Sequence, residues 1–136
     1  MSYASAAALQ QAVFAHLSTD PAVSAALDGA IFDALPAGTV PPLYLSLGPE
    51  VARDLSDHSA AGAEHDFTLS LIADAAGFQQ AKLAAASVCD ALAAPDLVLA
   101  RGRLVSLRFI RATAKRDGAG QRRRIDLTFR ARLDDI

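Results

Sequence analysis

Apolar side chains first recur at helical spacing: Leu9, Val13 and Leu17, with Ala6 and Phe14 beside them, form the i, i+4 stripe of an amphipathic helix over residues 4–17. Thr19-Asp20-Pro21 reads as a cap followed by proline in the first turn, opening a short helix through Leu27 that Asp28-Gly29 ends. The period then falls to two. Residues Ile31 to Leu35 predict a weak strand stopped by Pro36, and 36–42 predict an extended turn because its prolines cannot donate ladder bonds. Leu43 to Leu47 alternate as a half-buried strand before Gly48-Pro49.

Residues 48–64 show no apolar period and hold Glu50, Arg53, Asp54, Asp57, His58 and Glu64 among small residues. A loop of that length inside a compact domain is usually functional or disordered, so the segment is expected to be an arm that orders against a partner or a mobile insertion. Phe67, Leu69 and Leu71 then alternate with Asp66, Thr68 and Ser70 as a clear strand, and Asp74 to Gly77 turn the chain. Phe78 to Ala93 place Phe78, Ala81, Ala85, Val88, Cys89 and Leu92 on one side of an alanine-rich helix that Pro95 breaks. Leu97-Val98-Leu99 predict a short strand.

The most extended element comes last, as two strands over about 103–116 and 121–133. Val105, Leu107 and Phe109 share one face of the first. Ile125, Leu127, Phe129, Ala131 and Leu133 share one face of the second, with Arg124, Asp126, Thr128, Arg130 and Arg132 opposite. Keeping both apolar sets together predicts an odd loop, Gly118-Ala119-Gly120, with Phe109 facing Phe129, Arg108 facing Arg130 and Arg116 facing Arg122. Like charges directly opposite one another destabilise a strand pair, so these arginines are expected to be neutralised by a neighbouring subunit, an acidic partner or DNA, with a solvated arginine surface as the alternative. Each strand would span roughly 40 Å, and the tip is expected to outrun its own core.

Charge sharpens this picture. Residues 1–100 hold two basic residues, Arg53 and Lys82, against eleven acidic ones, whereas 101–136 hold eleven basic against four acidic. The formal net charge of −2 therefore conceals a body at −9 and an ending at +7. Oppositely charged ends let copies attract one another, and a basic interior surface tolerates a polyanion.

Length and composition narrow the class. A chain of 136 residues fits one domain, 1–136, and buries roughly 65–70% of its extended surface without a covalent staple. Its longest apolar stretch, Leu83 to Ala94, is interrupted by Ser87 and Asp90 and cannot span a bilayer, so no membrane is expected as a partner. Met1 to Ser5 lack the basic region and apolar run of a secretion signal, which points to the cytoplasm or a particle assembled there. The single cysteine, Cys89, excludes an internal disulfide and reads as a small core residue. Tryptophan is absent and aromatics are few, which argues against stacking platforms for single-stranded nucleic acid.

Candidate chemistry is sparse. His58 and His65 lie among Asp54, Asp57, Glu64 and Asp66, so a small metal-dependent hydrolase using Asp57, His58, His65 and Asp66 stands as a minor alternative, with a solvated acidic loop as the default. No phosphate-cradling glycine loop and no nucleophile elbow is present, and no helix carries a basic cluster suited to a major groove. Neither a catalytic residue, a cofactor nor a metal is expected.

The order of motifs carries a family resemblance over nearly the whole chain. They run from Ala30-Ile-Phe-Asp-Ala-Leu-Pro36, through Pro41-Pro-Leu-Tyr44 and Leu47-Gly48, to His65-Asp-Phe-Thr-Leu-Ser-Leu71. The alanine-rich helix, Leu104-Val-Ser-Leu-Arg-Phe109, the Asp117-Gly118 turn and Leu127-Thr-Phe-Arg-Ala131 follow. This set resembles the tail-completion or tail-terminator proteins of long-tailed phages and phage-like gene transfer agents. The resemblance implies an α+β subunit: a mostly antiparallel β-sheet with two main helices packed on one face and a long C-terminal β-hairpin.

It further implies a homo-oligomer, a hexameric ring that caps the head-proximal end of the tail tube, halts tube polymerisation and docks on the head-tail connector or stopper. Double-stranded DNA would pass nonspecifically through its bore, in a tail assembled in the bacterial cytoplasm. Another head-to-tail adaptor or stopper subunit is the alternative within the same junction. Together with the charge split, this reading marks Arg53, Asp54, Asp57, His58, Arg108, Arg116, Arg130 and Arg132 as expected interface residues. Arg122, Arg123 and Arg124, near the hairpin tip, are expected to face DNA or a neighbour.

Overall fold

The computed structural model describes residues 3–56, 61–74, 77–93, 95–118 and 122–135. Three helices, α1 (Ala6–Thr19), α2 (Pro21–Leu27) and α3 (Gln79–Ala91), accompany strands β1 (Ile31–Phe32), β2 (Leu43–Asp54), β3 (Gly62–Ala73), β4 (Arg103–Asp117) and β5 (Arg122–Asp134). The strands form one five-stranded sheet in the order β1-β2-β3-β5-β4. Only β1 and β2 run parallel; the other pairings are antiparallel. The architecture is the expected α+β one, with the helices on one face and the C-terminal hairpin forming two adjacent strands.

Period dictated the core. Leu9, Val13 and Leu17 of α1 and Ala81, Ala84, Ala85 and Val88 of α3 pack on Leu45, Leu69, Leu71, Ile125, Leu127, Phe129, Ala131 and Leu133, all buried in one cluster. Each fully buried leucine contributes roughly 1.5–3 kcal/mol of transfer free energy. The alanines of α3 bring its backbone close to the sheet, and partly buried Cys89 fills beside them, its thiol pKa pushed up first by burial. The Asp20 carboxylate accepts the Val23 N–H at 3.1 Å with Pro21 in the first turn of α2, and Asp28 ends that helix in the left-handed region at φ 50°.

Several expectations are corrected. Residues 48–64 are not a long loop: β2 runs on to Asp54 and β3 begins at Gly62, the two pairing from Glu50↔Phe67 to Asp54↔Ala63. A bulge between Leu47 and Glu50 absorbs one extra residue there. Gly48 fits it because a Cβ would come within 3.0 Å of the Thr68 carbonyl oxygen. The polar composition that masks this strand reflects exposure on both faces of the outer part of β2. The weak strand at 31–35 shrinks to Ile31–Phe32, and Leu97-Val98-Leu99 form no strand. Leu97 and Leu99 instead pack on the core from an extended segment, with Val98 in water.

The hairpin register also differs from the sequence expectation. Phe109 faces Phe129 and Arg108 faces Arg130 as expected, yet β4 carries two irregularities, between Leu104 and Ser106 and between Phe109 and Arg111. Each inserts one residue, so Arg116 faces Arg123 rather than Arg122, and Asp117 faces Arg122. Val105 leaves the apolar face for solvent, and Leu104 takes its place opposite Leu133. With four residues between Asp117 and Arg122, the expected three-residue loop does not hold; Ala119, Gly120 and Gln121 themselves lie outside the described residues. Nor does the hairpin project beyond its core, because β5 is a central strand that β3 accompanies from Gly62↔Asp134 to Ala73↔Arg123.

Candidate functional site

The face of the sheet away from the helices is where the charged residues converge. Alternation along β5 sends Arg124, Asp126, Thr128, Arg130 and Arg132 to it, and β3 adds Glu64, Asp66, Thr68 and Ser70 in register. Arg130 donates from Nε and Nη2 to the two carboxylate oxygens of Asp66, at 2.8 and 3.0 Å, and lies 3.4 Å from Glu64. Arg53 of β2 bonds Glu64 from the other side and reaches Asp66 at 3.5 Å. Hydrogen bonds from Arg130 hold the Asp66 carboxyl below the usual carboxylate range, with the positive charges of Arg130 and Arg53 adding to the effect.

A second network lies nearer the tip. The Ser70 hydroxyl donates to Asp126 at 2.6 Å, Arg124 donates to the same carboxylate at 2.8 Å, and Lys115 stands 3.5 Å away. Burial raises the Asp126 carboxyl pKa, but bonds from Ser70 and Arg124 outweigh it and leave the pKa lowered. At the opposite end Arg103 pairs with Asp134 at 3.0 Å, and Arg101 with Asp135 at 3.2 Å.

The predicted interface residues therefore sort into groups. Arg130, expected to lack compensation, and Arg53 are neutralised within the chain, because β3 lies between β2 and β5 and supplies the carboxylates. Among the described residues, Arg108, Arg111, Arg116, Arg122 and Arg132 form no ion pair. Asp54 caps the β2 end through Ser56, whose hydroxyl donates to it at 2.6 Å; Asp57 and His58 lie outside the described residues. The trio at 122–124 divides: Arg122 and Arg124 belong to the polar face, whereas Arg123 is 8% exposed on the helical side, its guanidinium 5.6 Å from the Phe78 ring centre.

The minor hydrolase reading gains no support. His65 and Asp66 are neighbours on one strand and so point to opposite faces: His65 is fully buried on the helical side with Nδ1 3.1 Å from Glu50, and Asp66 joins Arg130 outside. Among the described residues no group of three potential ligands converges. Sequence reasoning missed the Tyr3, Glu50 and His65 cluster, in which the Tyr3 hydroxyl donates to Glu50 and its ring stacks on His65 at 6.0 Å. It is created by the bulge in β2, which no local signal beyond Gly48-Pro49 announces.

Residues 11–134 match the family model described as tail completion protein gp17. No curated protein matches the chain. Among solved structures, a chain from the virion of a native gene transfer agent particle is 54% identical, covers 98% of this chain and 99% of its own, and superposes with a TM-score of 0.93. The chain belongs to the tail completion protein family, structural components of phage-type tails.

Proposed function

We propose that this protein is a tail terminator: six copies close into a ring at the head-proximal end of a tail tube, stop its polymerisation and join it to the head connector or stopper. The observation that carries this reading is the two-sided subunit. Its sheet has one apolar face under the helices and, on the other side, a polar, arginine-rich face over most of β3 and β5, with a small apolar cluster of Ala30, Tyr44 and Ile72 confined to its β1–β2 end. A polar face with surplus positive charge suits the wall of an aqueous bore through which double-stranded DNA passes without sequence readout. Arg122, Arg124 and Arg132 of β5 are the side chains on that face placed to meet phosphates. Family membership and similarity to a gene transfer agent virion chain support the location, in the tail of a phage-like particle.

Deleting the gene and imaging the particles tests the role. Tails of uncontrolled length, or tails and heads that fail to join, are the expected result, and particles of normal form would overturn it. Averaged images of intact particles should resolve six copies at the upper end of the tube.

A further inference from the structure

Once ion pairs within the chain are assigned, unpaired arginines remain along β4 and unpaired aspartates around α2 and β1. Arg108, Arg111 and Arg116 line β4, one edge of the sheet, without a carboxylate partner among the described residues. Asp28 and Asp33, both exposed and likewise unpaired, follow α2 and β1 at the opposite edge, and exposed Asp74 ends the central strand β3. The Asp74 N–H donates to the Pro42 carbonyl at 2.7 Å, which places this acid beside the chain as it enters β2.

Uncovered apolar surface divides in the same way. The helices pack mainly on β2, β3 and β5, and β4 is covered less: Leu104 and Leu107 are only partly buried against the core. Phe109 is consequently 50% exposed although it meets Phe129 edge-on at 5.8 Å, and Val105 stands out at the bulge. At the other side an open groove runs between α2 and α3 over Pro41 and Leu43, with Ala22, Ala25 and the 60% exposed Leu83 along it and Asp28 at its rim.

We propose that β4 of one copy seats in the α2–α3 groove of the next, Phe109 against Leu83, with the unpaired β4 arginines facing the acids around Asp28 and Asp74. This rests on the ring reading and specifies the contact that builds it. The occupant of the groove is a second copy because the chain itself carries the complementary charge and apolar knob on its far edge. Two different patches at opposite edges make a heterologous contact, which closes into a ring when the rotation fits. Direct strand addition is the less suitable mode, since two bulges interrupt the β4 edge and Pro49 interrupts the free part of β2.

Cross-linking with a short bismaleimide in a Cys89→Ser background tests the contact. Phe109→Cys mixed with Leu83→Cys should give a covalent dimer, either variant alone should give none, and the double variant should give a ladder up to the full ring. A six-copy ring by native mass spectrometry with no link between positions 109 and 83, or a dimer from Phe109→Cys alone, overturns this contact while leaving the ring reading intact. No ring in solution or in particles overturns both. If the cysteine variants fail to fold, Arg108→Glu and Asp28→Arg replace them. Each should weaken association at least tenfold and the pair should recover it; singles that associate normally overturn the contact.

Discussion

Arg130 grips the Asp66 carboxylate with two parallel hydrogen bonds, at 2.8 and 3.0 Å, directly across the β3–β5 ladder. A bidentate guanidinium–carboxylate pair is among the stronger surface interactions, and here Arg53 and Glu64 extend it into a network. The surplus arginine of β5 is thus partly a matter of folding, and only the remainder is free for assembly.

This pair gives a pH dependence with a definite sign. Asp66 has its folded pKa lowered, by hydrogen bonding to Arg130 first, so the folded state holds fewer protons than the unfolded chain as pH falls through the ordinary aspartate value of about 3.9. Its stabilisation is fully present above that value and is lost as pH drops through the folded pKa. Thermal melts of Asp66→Asn between neutral pH and pH 3 should show a flatter acid limb than wild type. An equally steep limb would remove Asp66 from the account.

Phe129 and Phe109 should separate stability from assembly. Phe129 is buried between Phe67 and Phe109, with both ring centres 5.8 Å away, so Phe129→Ala should cost about 3–5 kcal/mol in urea unfolding of the isolated chain. Phe109 is half in water, so its truncation should cost about 1 kcal/mol. The same variant should weaken self-association strongly, read by sedimentation against concentration.

Two local positions report on chain reversal. Asp20→Ala removes the cap on α2 and should destabilise by about 1 kcal/mol, while Asp20→Ser should retain most of the stability. Gly102→Ala should cost more than the cap, because its φ is +78° and a Cβ would come within 2.9 Å of both the Asp134 carbonyl oxygen and the Ser5 hydroxyl. Denaturant midpoints with unchanged slopes would check both.

Assembly through leftover charge should respond to salt. Exposed charges are largely screened beyond about 8 Å at physiological ionic strength and about 3 Å at 1 M. The apparent association constant from light scattering should therefore fall from low salt to 1 M. A constant that does not move would assign the contact to apolar burial alone.

The sequence by itself determined the elements whose signal is local and whose one face is buried. The α1 stripe at Leu9, Val13 and Leu17, the Asp20-Pro21 start of α2, the alternation of β3 and β5, and the separation of charge all stood in the order of residues. Only the tertiary structure decided the outer half of β2, since residues 50–54 carry no apolar alternation and become a strand through ladder bonds to β3. It also decided the two β4 bulges that turn Arg116 toward Arg123, and the placing of β3 beside β5 that gives Arg130 its carboxylate. Backbone pairing acts between segments distant in sequence, so period cannot report it. Which arginines remain free for a partner is set by that pairing.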